Sequence, residues 1–105
     1  MSIWQDIAAR ISAASGHPFE PGTPGGLGGG CINRAFRLTD GAQTWFVKTN
    51  AAERLDMFEA EAEGLNALAD SGTIKVPRAL CTGVSEGASY IVMQYLELGR
   101  GGASA

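Results

Sequence analysis

The sequence has few of the residues that build metal and redox centres, and it lacks an excess of basic side chains. Its 105 residues include two cysteines and one histidine, and Cys31, Cys81 and His17 do not show the spacing of metal ligands. Lysine and arginine total 8 against 11 acidic residues, which gives a net charge of −3. No basic cluster of the kind that contacts a nucleic-acid backbone is present. We therefore expect neither a metal centre nor a nucleic-acid partner.

Long apolar runs are also missing. No stretch is long enough to cross a membrane, and the N-terminus lacks the basic region and apolar segment that mark a signal peptide. We therefore expect a cytoplasmic protein with no membrane partner. The apolar fraction of 45% is sufficient for the modest core of one small domain, or of a piece of a larger protein.

Glycine, by contrast, is concentrated in residues 24–33, where five of the ten positions are glycine. Such a backbone lets a ligand approach closely, and its N–H groups can surround an anion such as phosphate. The stretch fits neither a Walker A loop, because Cys31 follows Gly30, nor a dinucleotide-binding turn, because a strand follows instead of a helix. A flexible loop without a ligand remains the alternative interpretation.

Hydrophobic periodicity predicts a helix, three strands, a second helix and two further strands. The first helix begins with a capping box at Ser2 and ends at Gly16 and Pro18. Its apolar stripe consists of Ile3, Trp4, Ile7, Ala8 and Ile11. The predicted strands cover residues 19–23, 35–39, 44–49, 80–84 and 89–96. Turn signals at residues 40–41 and 85–87 indicate antiparallel hairpins, so we expect an α+β fold with a five-stranded antiparallel sheet flanked by two helices.

The second helix is predicted over residues 55–70, starting from a cap near Asn50 or at Asp56. One face is apolar and contains Met57, Phe58, Ala62, Leu65, Leu68 and Ala69.

A lysine and a glutamate fall at unusual positions in this pattern. Lys48 lies in an apolar strand and shares a face with Phe46. On the second helix Glu59 and Glu63 face away from the apolar stripe, whereas Glu61 falls within it. A carboxylate that faces the core requires a partner, so the spacing predicts an ion pair between Lys48 and Glu61. The alternatives are a lysine that reaches solvent at a strand end and a hydrated glutamate at the rim of the helix face.

In chain order, these motifs resemble the fructosamine kinase (ketosamine-3-kinase) family, which has the aminoglycoside-phosphotransferase-like kinase fold. The similarity lies in Gly-Gly-Gly-Cys-Ile-Asn at 28–33, Phe-Val-Lys at 46–48, Met-Phe-Glu-Ala-Glu-Ala-Glu-Gly-Leu at 57–65, Val-Pro at 76–77 and Met-Gln-Tyr-Leu at 93–96. The resemblance implies a protein-kinase-like N-terminal lobe over residues 1–98, with the second helix in the place of the kinase αC helix. Residues 99–105 would be a disordered tail, a truncated linker beyond the hinge.

The resemblance also implies a set of residues that bind ATP. Those over the phosphates are Gly28, Gly29, Gly30, Cys31 and Asn33, with Lys48 contacting the phosphates and Glu61 holding Lys48. Those at the adenine are Met93, which would border its pocket, and Gln94 and Leu96, whose backbones would hydrogen-bond its edge.

A member of this family transfers the γ-phosphate of ATP to the sugar 3-hydroxyl of a ketosamine, which initiates deglycation of the amine. The catalytic aspartate and the Mg²⁺ ligands belong to the second lobe, so we expect no catalytic residue in this chain and no phosphorylation by the chain alone.

Two alternatives stay open. The chain could be the same lobe of a phosphotransferase for another small substrate, such as an aminoglycoside or choline. It could also be a non-catalytic fragment that binds a partner or forms a homodimer, through the exposed lobe surface or through Cys31. Cys81, within a strand, is expected to be a small core residue.

Overall fold

The computed structural model describes residues 3–22, 25–27, 34–72 and 76–95. In these ranges the elements are α1 (Ile3–Ser15), β1 (Gly25–Leu27), β2 (Arg34–Thr39), β3 (Thr44–Ala51), a short 3-10 turn (Ala52–Arg54), α2 (Leu55–Ser71), β4 (Ala79–Ser85) and β5 (Ala88–Gln94). All strand pairs are antiparallel, and the sheet order is β1-β2-β3-β5-β4. The predicted α+β class and the predicted order of elements are confirmed.

Both predicted hairpin turns are present, and local chemistry explains each. In the β2–β3 turn the Asp40 carboxylate accepts the backbone N–H of Gln43 at 2.7 Å, and Gly41 takes a φ of 96° that other residues rarely adopt. In the β4–β5 turn Glu86 and Gly87 have φ values of 52° and 78°. Two consecutive left-handed residues are typical of the tight turn that matches the twist of a hairpin.

The sheet buries side chains on both of its faces. The face covered by α1, here called the α1 face, has a core of Ile7, Ile11, Phe19, Leu38, Val47, Tyr90 and Val92. The opposite face, here called the α2 face, has a core of Phe58, Ala79, Ile91 and Met93, with Phe46, Met57, Ala62 and Leu65 packed against it. Residues 90–93 of β5 therefore alternate between two cores, which explains their continuous apolar sequence.

Polar contacts, as well as the predicted apolar stripe, attach α1 to the sheet. Arg10 donates from Nη2 to the carbonyl of Thr82 at 3.2 Å. One turn earlier, the Asp6 carboxylate accepts a hydrogen bond from the Ser85 hydroxyl. These contacts join the first helix of the chain to its last hairpin.

The predicted strand over residues 19–23 is wrong: residues 18–22 form no strand, and the first strand is Gly25–Leu27. The Phe19 side chain is instead buried in the α1-face core with 3% exposure, and its N–H donates to Ser12 Oγ at 2.9 Å. Pro21 has no N–H to donate to a ladder, which removes one of the hydrogen bonds that a strand at residues 19–23 would need.

Other boundaries differ from the sequence-based expectations by smaller amounts. Strand β5 ends at Gln94, so Tyr95 lies just beyond it. A 3-10 turn precedes α2, whose N-cap is Arg54, so the helix starts at neither predicted cap, although the Asp56 carboxylate accepts the backbone N–H of Met57 at 2.9 Å. Leu68 is 43% exposed although it shares the apolar stripe of α2. Periodicity gives the angular position of a side chain but does not show whether a neighbour is present at that height along the helix.

Within the described residues no helix has both the length and the apolar character needed to cross a membrane.

Candidate functional site

Lys48 lies near the centre of the sheet, on the α2 face. It belongs to β3, where it is opposite Ala35 of β2 and Ile91 of β5. Directly opposite residues of antiparallel strands point to the same face, so the Lys48 side chain extends on the side where Ile91 packs against Phe58. The lysine is therefore held by pairing on both sides of its strand.

Glu61 reaches this lysine from α2. The Nζ atom of Lys48 and the Oε2 atom of Glu61 are 2.5 Å apart, and their side chains are 20% and 30% exposed. The contact predicted from spacing is therefore present, although Glu61 is half-buried and does not point into the middle of the core. A charge-assisted hydrogen bond of this kind fixes the direction of the ammonium group. The ammonium group of Lys48 therefore remains partly exposed at the rim of the α2 face, where it can donate to a ligand.

The end of β5 lies beside this pair. Met93, 3% exposed, is opposite Phe46, which is two residues before Lys48 on β3. Phe46 is half-buried and packs against the core that contains Met93, so the accessible apolar surface beside the ion pair belongs to Phe46. Gln94, the next residue, donates its backbone N–H to the carbonyl of Arg78 at 3.0 Å. Its side-chain oxygen accepts the N–H of Arg78, also at 3.0 Å. If Gln94 contacts a ligand through its backbone, the carbonyl is therefore the group that it could offer.

The remaining predicted site residues lie outside the described residues: Gly28, Gly29, Gly30, Cys31, Asn33 and Leu96. Their proposed roles stay predictions, as do the dimer through Cys31 and the domain boundary after residue 98. The described part of the glycine-rich stretch, Gly25–Leu27, is a strand that pairs with residues 35–37 of β2. The stretch is thus a strand at its start, which the sequence-based interpretation as a loop did not include.

Sequence reasoning missed one side chain on the same face. Arg37 is opposite Phe46 in the β2–β3 register, and its guanidinium carbon lies 5.8 Å from the centre of the Tyr95 ring. The alternation of side chains could have shown that Arg37 shares a face with Lys48. Arg37 pairs with Phe46, and Phe46 and Lys48 are two residues apart on β3, so they point to the same face. The contact with Tyr95 depends on the sheet order and had no sequence signal.

Two further observations concern a metal site and a second hollow. In the ranges that the structure describes, no group of three histidine, cysteine, aspartate or glutamate side chains could hold a metal ion. A hollow of about 370 Å³ lined by Trp4, Arg34 and Phe36 lies on the α1 face, so the sheet separates it from Lys48.

The comparisons with known proteins identify a family. A model of the fructosamine kinase family matches residues 3–105. A "Probable ketoamine kinase" of Synechocystis sp. is 50% identical over 98 residues, covering 93% of this chain and 33% of that protein. A chloroplastic protein-ribulosamine 3-kinase of Arabidopsis thaliana is 43% identical over 76 residues, covering 71% of this chain and 23% of that one.

Solved structures show the same fold. A protein from Haemophilus somnus 129PT, assigned as a fructosamine-3-kinase, superposes with a TM-score of 0.84 at 31% identity, covering 90% of this chain and 32% of that one. An aminoglycoside phosphotransferase solved with AMP-PNP and hygromycin B has a TM-score of 0.51 at 18% identity, covering 86% and 29%; this second likeness concerns the fold alone. The chain thus has the fold of the N-terminal part of a protein-kinase-like phosphotransferase and spans about a quarter to a third of the length of these relatives.

Proposed function

The chain belongs to the fructosamine kinase family, and from that membership we propose that residues 1–98 are the ATP-binding lobe of a ketosamine 3-kinase. In this proposal the lobe holds ATP, whose γ-phosphoryl group is transferred to the sugar 3-hydroxyl of a glycated amine. The observation that carries the proposal is the contact of 2.5 Å between Lys48 and Glu61. Kinases use a strand lysine held by a helix glutamate to position the phosphates of ATP.

The surroundings of the pair support a division of the site into two halves. A lysine with a fixed direction suits the phosphates, which are anionic and accept hydrogen bonds. The half-buried Phe46, which packs against the core around Met93, suits a nucleobase, since purine rings bind among apolar side chains. The Gln94 carbonyl follows Met93 and would accept from the amino group of adenine. The glycine-rich residues 28–33 would cover the phosphates.

The proposed substrate class rests on the relatives. The "Probable ketoamine kinase" of Synechocystis sp. is 50% identical to this chain over 98 residues, whereas the likeness to an aminoglycoside phosphotransferase is limited to the fold at 18% identity. A ketosamine is therefore favoured over an aminoglycoside or choline. The matched relatives are about three times as long as this chain, and we expect the phosphoryl acceptor to bind mainly through groups beyond these 105 residues.

We assign none of the described residues to Mg²⁺, because no suitable cluster of ligands is found among them. Kinases hold this ion through acidic and amide side chains near the catalytic loop. The role of the present lobe is to bind and orient the nucleotide, and we expect the 105-residue chain by itself to transfer no phosphoryl group.

Nucleotide titration tests the proposal. The ¹⁵N-labelled chain is titrated with ATP, tripolyphosphate and adenosine, and dissociation constants are obtained from chemical-shift changes. We expect Lys48→Met to weaken ATP and tripolyphosphate by roughly tenfold or more, since a charge-assisted hydrogen bond contributes about 1.5–3 kcal/mol, and to leave adenosine binding unchanged. Arg34→Gln is the control, because it removes one positive charge from the opposite face of the sheet.

The outcome that would contradict the proposal is a chain that binds no ATP at millimolar concentration, or that binds it equally well with and without Lys48. Glu61→Gln provides an independent arm. It should weaken tripolyphosphate less than Lys48→Met does, because the ammonium group remains and only its direction is released.

A further inference from the structure

The side chain of Arg37 crosses a strand on the α2 face. Arg37 belongs to β2 and Tyr95 follows β5, and β3 lies between these two strands. Neighbouring strands are about 4.8 Å apart, so the backbones of β2 and β5 are about 10 Å apart. The side chains of Arg37 and Tyr95 meet across this distance, with the guanidinium carbon 5.8 Å from the ring centre, and Phe46 of the intervening strand is the direct partner of Arg37.

This position is the outer end of the proposed nucleotide site. Along β3, Lys48 is opposite Ala35 near the start of β2, whereas Phe46 is opposite Met93 near the end of β5. A nucleotide with its phosphates at Lys48 and its base at Phe46 therefore has Arg37 and Tyr95 beside the base. Arg37 is exposed and Tyr95 is half-buried, so both are accessible to a ligand.

From this juxtaposition, and resting on the proposed function, we propose that Arg37 is a base-binding residue. One face of its guanidinium group stacks on the purine ring of ATP, while the other face contacts the ring of Tyr95. A guanidinium group is planar and weakly hydrated, and it stacks on aromatic rings. The group presents two faces. Its central carbon lies 5.8 Å from the centre of the Tyr95 ring, and Phe46, beside which the base would bind, is the direct partner of Arg37 in the β2–β3 register.

This role differs in a measurable way from simple charge attraction. Arg37 as a base-binding residue acts on the nucleoside part of ATP, whereas a positive charge at this distance acts on the phosphates. An exposed cation–π contact corresponds to a change of roughly 2- to 5-fold in affinity. The role also requires Tyr95, because without the ring nothing in the described contacts directs the guanidinium group toward the base.

The same three probes, ATP, tripolyphosphate and adenosine, test the inference on the labelled full chain. We expect Arg37→Gln to weaken ATP and adenosine by roughly 2- to 5-fold relative to Arg34→Gln, with equal tripolyphosphate binding in the two variants. Arg34 is the matched control, since it is also an exposed arginine of β2 and lies on the α1 face. Tyr95→Leu should reproduce the loss with adenosine, and Tyr95→Phe should not.

Three results would overturn the inference. The first is equal adenosine binding by the Arg37→Gln and Arg34→Gln variants. The second is a loss of affinity for tripolyphosphate as large as the loss for ATP. The third is a double variant in which the losses of adenosine affinity from Arg37→Gln and Tyr95→Leu add independently. Arg37→Lys keeps the charge but not the planar group, so it should behave like Arg37→Gln with adenosine. Spectra of each variant without ligand show whether it is folded. ATP binding that depends on Lys48 but not on Arg37 would leave the proposed function intact and reject this inference alone.

Discussion

Replacing Gly83 by alanine should destabilise the protein, because a β-carbon has no room at this position. Gly83 of β4 is opposite Tyr90 of β5. A β-carbon there would lie 2.6 Å from the Tyr90 hydroxyl oxygen, 2.8 Å from its Cζ atom and 3.0 Å from Nη1 of Arg10. Two of these separations are shorter than side-chain carbons tolerate, so the tyrosine ring must move.

The ring cannot move without disturbing the core. Tyr90 is 2% exposed and belongs to the α1-face core, and Arg10 lies over its hydroxyl at 3.5 Å. Overpacking of a well-filled core costs about 1–3 kcal/mol, and the backbone preference for alanine over glycine offsets about 0.5–1 kcal/mol of this. The middle values of these ranges leave a net loss of about 1 kcal/mol. For a domain of this size that corresponds to a fall in Tm of roughly 4–8 °C.

Thermal and urea unfolding followed by circular dichroism measure this loss. Gly64→Ala is the matched control, because Gly64 lies inside α2 and, apart from its chain neighbours and the helix's own backbone, no described atom lies within 4 Å of the place that its new methyl group would take. That variant should gain about 0.5–1 kcal/mol. Tyr90→Phe removes the atom nearest to the new methyl group, so it should destabilise Gly83→Ala less than it destabilises the original chain. A Gly83→Ala variant as stable as Gly64→Ala, or strictly additive effects in the double variant, would refute the steric argument.

Three further predictions concern single side chains. Backbone hydrogen bonds, the strongest from Gln43, lower the pKa of Asp40 below its ordinary value. The charged carboxylate therefore stabilises the fold above the unfolded-state pKa. This stabilisation is lost as pH falls through the folded-state pKa. Asp40→Asn should therefore lower Tm at pH 7, and the difference should vanish in acid; a constant difference over this range would contradict the linkage. Asn66 accepts the N–H of the first β4 residue at 2.9 Å, so Asn66→Ala should cost about 1–3 kcal/mol in urea unfolding, whereas Asn66→Asp, which keeps an acceptor, should cost less. Burial raises the pKa of the Cys81 thiol, against a smaller opposing effect of a nearby arginine; in a Cys31→Ser chain, alkylation at pH 8 should be slower than that of a free cysteine, and an equal rate would show that the thiol is accessible and easily ionised.

The contacts that sequence reasoning predicted correctly are those fixed by local periodicity. The stripe of α1 follows from helical spacing, and Ile7 and Ile11 are fully buried as expected. The contact between Lys48 and Glu61 was predictable because a strand and the helix directly after it must pack together, and each side chain has one favourable partner. The turn at residues 40–41 was predictable from the chemistry of aspartate and glycine.

The features that sequence reasoning missed depend on the order of the strands. No spacing shows that Arg37 of β2 comes close to Tyr95, because that contact requires β5 to lie next to β3. The prediction of a strand at residues 19–23 is wrong for a related reason. Phe19 has the apolar character of a strand residue, but it is buried beneath α1 and its N–H bonds to Ser12, a contact that depends on how the chain turns after the helix.

The attachment of α1 also affects the synthesis of the chain. Asp6 and Arg10 bond to partners 79 and 80 residues later in the sequence, and the apolar stripe of the helix packs on strands that include β5. On a ribosome that adds about 5–20 residues per second, the helix emerges roughly 4–16 seconds before its docking surface is complete. During that interval Ile7 and Ile11 have no sheet to cover them. Early translation is therefore the stage at which nascent chains would be most prone to associate, or to need a chaperone.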